Sequence, residues 1–103
     1  MTNKEQFEVV TEWQKKTFKQ STALSKIAHL REEIEELNED VKNGSQERRL
    51  EFADCFILLM GAAASDGMSF DDIVSAIDEK MKINISRNWG SPDDNGVVKH
   101  VKK

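Results

Sequence analysis

No proline interrupts the first 91 residues of this 103-residue chain, and the single one is Pro92. Only five glycines accompany it, so long stretches are free of the residues that end helices. Within those stretches apolar residues recur at spacings of three and four, not two, which predicts helices and argues against strands. Four helices are expected. The first runs from about Lys4 to Phe18. The second starts near Ser21, a candidate N-cap, and ends near Lys42 at the Asn43-Gly44 stop signal. The third runs from about Ser45 to Ser65 and stops at Asp66-Gly67. The fourth has Ser69 as N-cap and Asp71 and Asp72 in a first turn where the helix dipole favours negative charge. It continues to about Asn88, and from Gly90 the segment GSPDDNGVVKHVKK reads as a turn and tail. The fold class is therefore all-α, a single domain over 1–103 with 89–103 as its tail.

The apolar pattern also bears on assembly. Leu24, Ile27, Leu30, Ile34, Leu37 and Val41 make one stripe along the second helix. The third helix is apolar nearly all round from Phe52 to Ala64, so it needs cover on several sides. Four short helices supply little cover, and a domain of this length buries only a modest core. Self-association is expected to complete the bundle, as a homodimer or homotetramer.

Charge and cysteine content exclude other classes. The formal net charge is -4, a poor match to nucleic-acid binding, which is dominated by basic patches. The single cysteine, Cys55, permits no intramolecular disulfide and suggests no cysteine zinc site. The first residues, MTNKEQFEVV, are unlike a secretory signal. The Phe52–Ala64 run contains Asp54 and falls short of the roughly 17–25 residues that span a bilayer. A cytoplasmic protein with no membrane partner is expected.

The chemistry lies in the acids. At about 100° per residue, His29, Glu33, Glu36 and Asp40 fall together on the second helix at roughly 240–300° from Leu30, beside the apolar stripe. Glu32 and Glu35 point further away. On the third helix Glu47, Glu51 and Asp54 fall within about 60° of one another. Asp54 sits among Phe52, Ala53, Cys55, Phe56, Ile57 and Leu58, where an unpaired carboxylate is costly to desolvate. A salt bridge to Arg48, Arg49 or another helix is one way to compensate it; a divalent cation is the other. The pairs Glu33/Glu36 and Glu51/Asp54 each stand three apart, and both lie seven to ten residues from the loop at Asn43-Gly44. An antiparallel hairpin brings them to the same height. All-oxygen ligation favours magnesium or manganese over zinc, and the Glu-x-x-His pairs of di-iron bundles are absent.

The fourth helix carries the complement. Ile73, Ala76 and Ile77 define a stripe that continues through Lys80, Ile83, Asn84 and Arg87. The cations either cap the helix C-terminus or clamp phosphate, lysine as a point charge and arginine as a bidentate fork.

The segments HLREEIEEL, LEFADCFILL and KMKINISRNWG resemble the all-α, MazG-like nucleoside triphosphate pyrophosphohydrolases. The resemblance matches Glu33, Glu36, Glu51 and Asp54 to that family's metal ligands, and Lys80, Asn84 and Arg87 to a downstream Lys-x-x-x-Asn-x-x-Arg element. Trp13, Phe18, Trp89-Gly90 and the PDDNGVVKHV tail resemble its dATP/dGTP pyrophosphohydrolase branch, common in bacteria and phages. What this implies is a four-helix MazG-like bundle, active as a homo-oligomer, that cleaves (deoxy)nucleoside triphosphates between the α- and β-phosphates. Magnesium, or manganese, would activate the attacking water, with Glu33 or Glu36 as the alternative base and Trp13 stacking on the nucleobase. Cys55 reads as a small buried hydrophobe, and His29 as a hydrogen-bond partner of Glu33. Two rivals stand beside this reading: a non-catalytic helical interaction module with its acids paired to lysines and arginines, and a same-fold hydrolase for dUTP or non-standard nucleotides.

Overall fold

The computed structural model describes residues 1–101, so the last two residues of the expected tail lie outside the described residues. Four helices form: α1 (Asn3–Thr17), α2 (Ala23–Lys42), α3 (Arg48–Ser65) and α4 (Phe70–Ser86). The chain divides into two compact units, Met1–Ile73 and Val74–Lys103.

In the first unit, local chemistry sets each helix start. Thr2 caps α1 by accepting from the Glu5 N–H. Thr22, not Ser21, caps α2: its Oγ1 accepts from the Ser25 N–H, while the Ser25 hydroxyl accepts from the Thr22 N–H. That reciprocal pair satisfies two backbone donors at once. Ser21 instead shares a hydroxyl contact with Ser25. Between α2 and α3, Gly44 takes a positive φ of 64°, a conformation that costs a β-carbon-bearing residue about 1–2 kcal/mol. The expected helix start at Ser45 moves to Arg48, because Ser45 is used to turn the chain: its Oγ accepts from the Glu47 N–H and its carbonyl from the Arg48 guanidinium. Ser69 and Asp72 form a reciprocal cap at the start of α4. The backbone and side-chain hydrogen bonds from Ser69 hold the Asp72 carboxyl below its ordinary range.

Helices α2 and α3 make the most extensive contact, and α1 lies against α3. Phe7 and Ala62 are the buried hydrophobic residues, and the Phe7 ring meets that of Phe70 at 5.8 Å between centroids. Two polar side chains join this small core. Gln14 is buried and donates through Nε2 to the Ile57 carbonyl at 2.9 Å. Lys26 is buried and donates through Nζ to Ser65 Oγ at 3.0 Å, placing its charge at the C-terminal end of α3.

The cover over α3 is incomplete within one chain. Phe52, Phe56 and Leu59 remain exposed, as do Leu24, Ile34 and Val41 on α2. Among the described residues no single helix is long and apolar enough to cross a membrane.

In the second unit, α4 ends at Ser86 rather than Asn88. The next residues form a strand, β1 (Asn88–Trp89), paired antiparallel with β2 (His100–Val101). The expected tail is thus folded back. Asp93 organises the connection: its Oδ1 accepts from the Asn95 and Val97 N–H groups, and Gly96 takes a positive φ of 78°. Trp89 donates through Nε1 to the Asn84 carbonyl and meets the His100 ring edge-on.

Candidate metal centre

The α2–α3 hairpin brings Glu33, Glu36 and Glu51 together. One carboxylate oxygen of each lies within 4.8 Å of the others. The helical period explains why: a step of three places Glu33 and Glu36 on one edge of α2, and the short Gly44 turn sets Glu51 of α3 at the same height.

The electrostatics are those of a crowded carboxylate site. Glu36 is held above the ordinary glutamate range, first because its carboxyl meets that of Glu33 and then because the Glu33 charge repels its own. Burial pushes Glu51 up, and Glu33 adds to the effect by contact and by repulsion. Burial also raises the Cys55 thiol, with Glu33, Glu51 and Asp54 as further causes; Cys55 is half-buried. Oε2 of Glu51 is buried and has no hydrogen-bond partner. A buried, unpartnered carboxylate oxygen beside two other carboxylates calls for a cation. Among the described residues no lysine or arginine supplies it: the ion pairs join Lys4 to Asp71, Lys16 to Glu12 and Lys42 to Glu39. Arg48 is turned to the Ser45 carbonyl. The residues therefore fit a hard divalent cation by donor type and by unmet need.

Asp54 stands outside this convergence and is exposed. The expectation that it is buried in an apolar environment is corrected here. The all-round apolar character of α3 is real, but a single chain leaves part of that helix open. His29 lies 3.3 Å from Glu33, Nε2 to Oε1. Trp13 is exposed and meets Phe18 edge-on at 5.6 Å between ring centroids. Lys80 and Asn84 lie in the second half of α4 and Arg87 just beyond its end; Asn84 and Arg87 are half-buried and Lys80 is exposed.

With this geometry in place, the comparisons decide the family. Residues 6–103 match the dATP/dGTP pyrophosphohydrolase family. The chain belongs to that family. It is a nucleoside triphosphate pyrophosphohydrolase of MazG-like fold. A similar solved structure is that of the cyanophage S-2L MazG-like pyrophosphohydrolase, bound to dGDP and three catalytic Mn2+ ions per active site. The two chains share 32% identical residues over 95% of each, with a TM-score of 0.77. No curated relative matches the chain.

The sequence reading of this family member missed Gln14 and Lys26, the two buried polar residues of the first unit. The signal for Gln14 was present: it follows Phe7 by seven residues, on the face that α1 buries. Gly61, within the apolar run of α3, marks the matching notch. A Cβ at position 61 would collide with the Gln14 carboxamide.

Proposed function

We propose that the chain hydrolyses deoxynucleoside triphosphates, dATP and dGTP foremost, to the monophosphate and pyrophosphate, using magnesium with manganese as a substitute. The observation that carries this reading is the convergence of Glu33, Glu36 and Glu51, with a buried orphan oxygen on Glu51 and no lysine or arginine paired with them among the described residues. Asp54 is proposed as a fourth acid of the set, from its place three residues after Glu51. A divalent cation held there neutralises phosphate charge and lowers the pKa of an attacking water. The protein's own contribution is to fix the acids in one place before substrate arrives, so that little reorganisation accompanies the reaction. Glu33 or Glu36 would take the proton of the attacking water. Lys80, Asn84 and Arg87 are proposed to hold the phosphates, and Trp13 to stack on the base. The exposed apolar residues of α2 and α3 support assembly as a homodimer or homotetramer.

The test is a panel of purified triphosphates, including dATP, dGTP, dCTP, dTTP, dUTP and the ribonucleotides, assayed for pyrophosphate release with Mg2+, with Mn2+ and with chelator. Metal-dependent release of pyrophosphate and monophosphate, fastest with dATP or dGTP, is the expected result. Preference for dUTP would replace the substrate assignment and keep the reaction. Orthophosphate release, or no turnover with any triphosphate, would overturn the proposal.

A further inference from the structure

We infer that His29 is a positioning residue for Glu33: its Nε2, 3.3 Å from one carboxylate oxygen, keeps that oxygen in place and leaves the other to the cation. This rests on the metal centre proposed above. Three observations place Glu33 at the middle of the cluster. Its carboxyl is the one that both Glu36 and Glu51 approach. It lies on α2, and its side chain is 19% exposed. His29 Nε2 lies 3.3 Å from its Oε1, one helical turn earlier on the same edge of α2. Among the described residues, that imidazole is also the one lysine, arginine or histidine side chain within 4.0 Å of any of the three acids.

The physical consequence follows from crowding. Three carboxylates within 4.8 Å repel one another, and an isolated glutamate relieves the repulsion by changing rotamer. A glutamate that stays must be anchored from its far side. An imidazole can do this from outside the site, offering one ring nitrogen to one carboxylate oxygen. A lysine or arginine in the same place would neutralise Glu33 and weaken its attraction for a cation. Residues that orient metal ligands in this way typically carry about 10–100-fold of metal affinity when removed. His29 is half-exposed and among the described residues pairs with no group other than Glu33, so its removal touches the ligand and not the core.

The experiment uses the full chain at about pH 8, where free imidazole is neutral, and measures Mn2+ dissociation constants by calorimetry and by electron paramagnetic resonance. The parent, His29→Ala and His29→Gln are compared, together with their metal-free melting temperatures. Expected is a rise of about 10-fold or more in the Mn2+ Kd for His29→Ala, recovery to within about threefold for His29→Gln, whose carboxamide N–H still reaches the residue four ahead, and unchanged metal-free melting for both. A parent that binds Mn2+ and a His29→Ala variant that binds it within twofold would overturn the role of His29 alone. A parent that binds no Mn2+ would remove the metal centre itself. Lowered metal-free melting with equal loss of affinity in both variants would make His29 a structural residue and overturn the inference.

Discussion

Glu33 on α2 and Glu51 on α3 face each other across a hairpin, with carboxylate oxygens within 4.8 Å, while Oε2 of Glu51 is buried and unpartnered. Such a contact between two acids costs the metal-free protein stability. The sign follows from the direction of the shifts. Glu36 and Glu51 bind protons more tightly folded than unfolded. Their penalty is absent below the ordinary glutamate range and fully present above the raised folded values. The metal-free protein is therefore expected to lose melting temperature as pH rises through that window. Mg2+ or Mn2+ at neutral pH should restore it, by about 2.7 kcal/mol when the ion is at 100 times its Kd. Glu51→Gln should melt at or above the metal-free parent and gain nothing from metal. Scanning calorimetry across pH, with and without Mn2+, checks this; a metal-indifferent parent would contradict it.

Gly61 and Gln14 make a second, purely structural relationship. The Gln14 carboxamide fills the space where a Cβ at position 61 would sit, and its Nε2 satisfies the Ile57 carbonyl. Gly61→Ala should destabilise the fold by about 1–3 kcal/mol through overpacking. Adding Gln14→Ala should return part of that loss, since the clashing group is gone. Urea denaturation of the two single variants and the double variant gives the coupling directly. Additive losses would show that the two residues do not compete for space.

Spacing made the acid cluster legible, because a step of three on each helix and a short turn between them leave little choice of geometry. Local contests were not legible. Ser21 and Thr22 both suit an N-cap, and only the Ser25 hydroxyl three residues after Thr22 decides between them. Ser45 could start a helix, yet its hydroxyl and carbonyl are spent on the turn. The pairing of Asn88–Trp89 with His100–Val101 involves strands of two residues each, too short for any alternation to show. Its trace in the sequence was Asp93 with Asn95-Gly96, a turn signature. The openness of Asp54 was hidden for a different reason: an apolar helix states that it needs cover and says nothing of which chain provides it.

The exposed apolar residues lead to a prediction about assembly. Phe52, Phe56 and Leu59 on α3 and Ile34 and Val41 on α2 are exposed in one chain. Light scattering at micromolar concentration is expected to give an even-numbered assembly. Phe56→Glu, placing a charge on that surface, should shift it toward monomer. A parent that is monomeric throughout would contradict the assembly and leave the acid cluster, which one chain contains whole, untouched.

The end of α4 offers a test of phosphate binding. Lys80→Ala and Arg87→Ala are expected to lower kcat/KM by about 10-fold or more, in keeping with the loss of charge-assisted hydrogen bonds. Melting should change little for Lys80→Ala, since Lys80 is exposed. Arg87→Lys should recover only part of the loss, because a point charge cannot reproduce a bidentate fork. Full activity in both alanine variants would remove these cations from phosphate binding.

Asp54 separates the two accounts of the acids most sharply. It is exposed and pairs with no lysine or arginine among the described residues. If it belongs to the metal set, Asp54→Asn removes a ligand charge. Turnover should then fall by more than the roughly 10–100-fold that outer residues of such sites typically cost. Metal-free stability should stay within about 0.5 kcal/mol of the parent, as for surface substitutions generally. The other account makes Asp54 one half of an ion pair that is buried only when a second chain covers α3. Breaking that pair costs about 3–5 kcal/mol, because the partner charge is left without compensation. The two accounts thus predict opposite behaviour in a metal-free melt, before any activity is measured. An unchanged melt, lost turnover and lost stabilisation by Mn2+ would together place Asp54 among the ligands. A destabilised variant that keeps its turnover would remove it from the site, and the metal would then rest on Glu33, Glu36 and Glu51 alone.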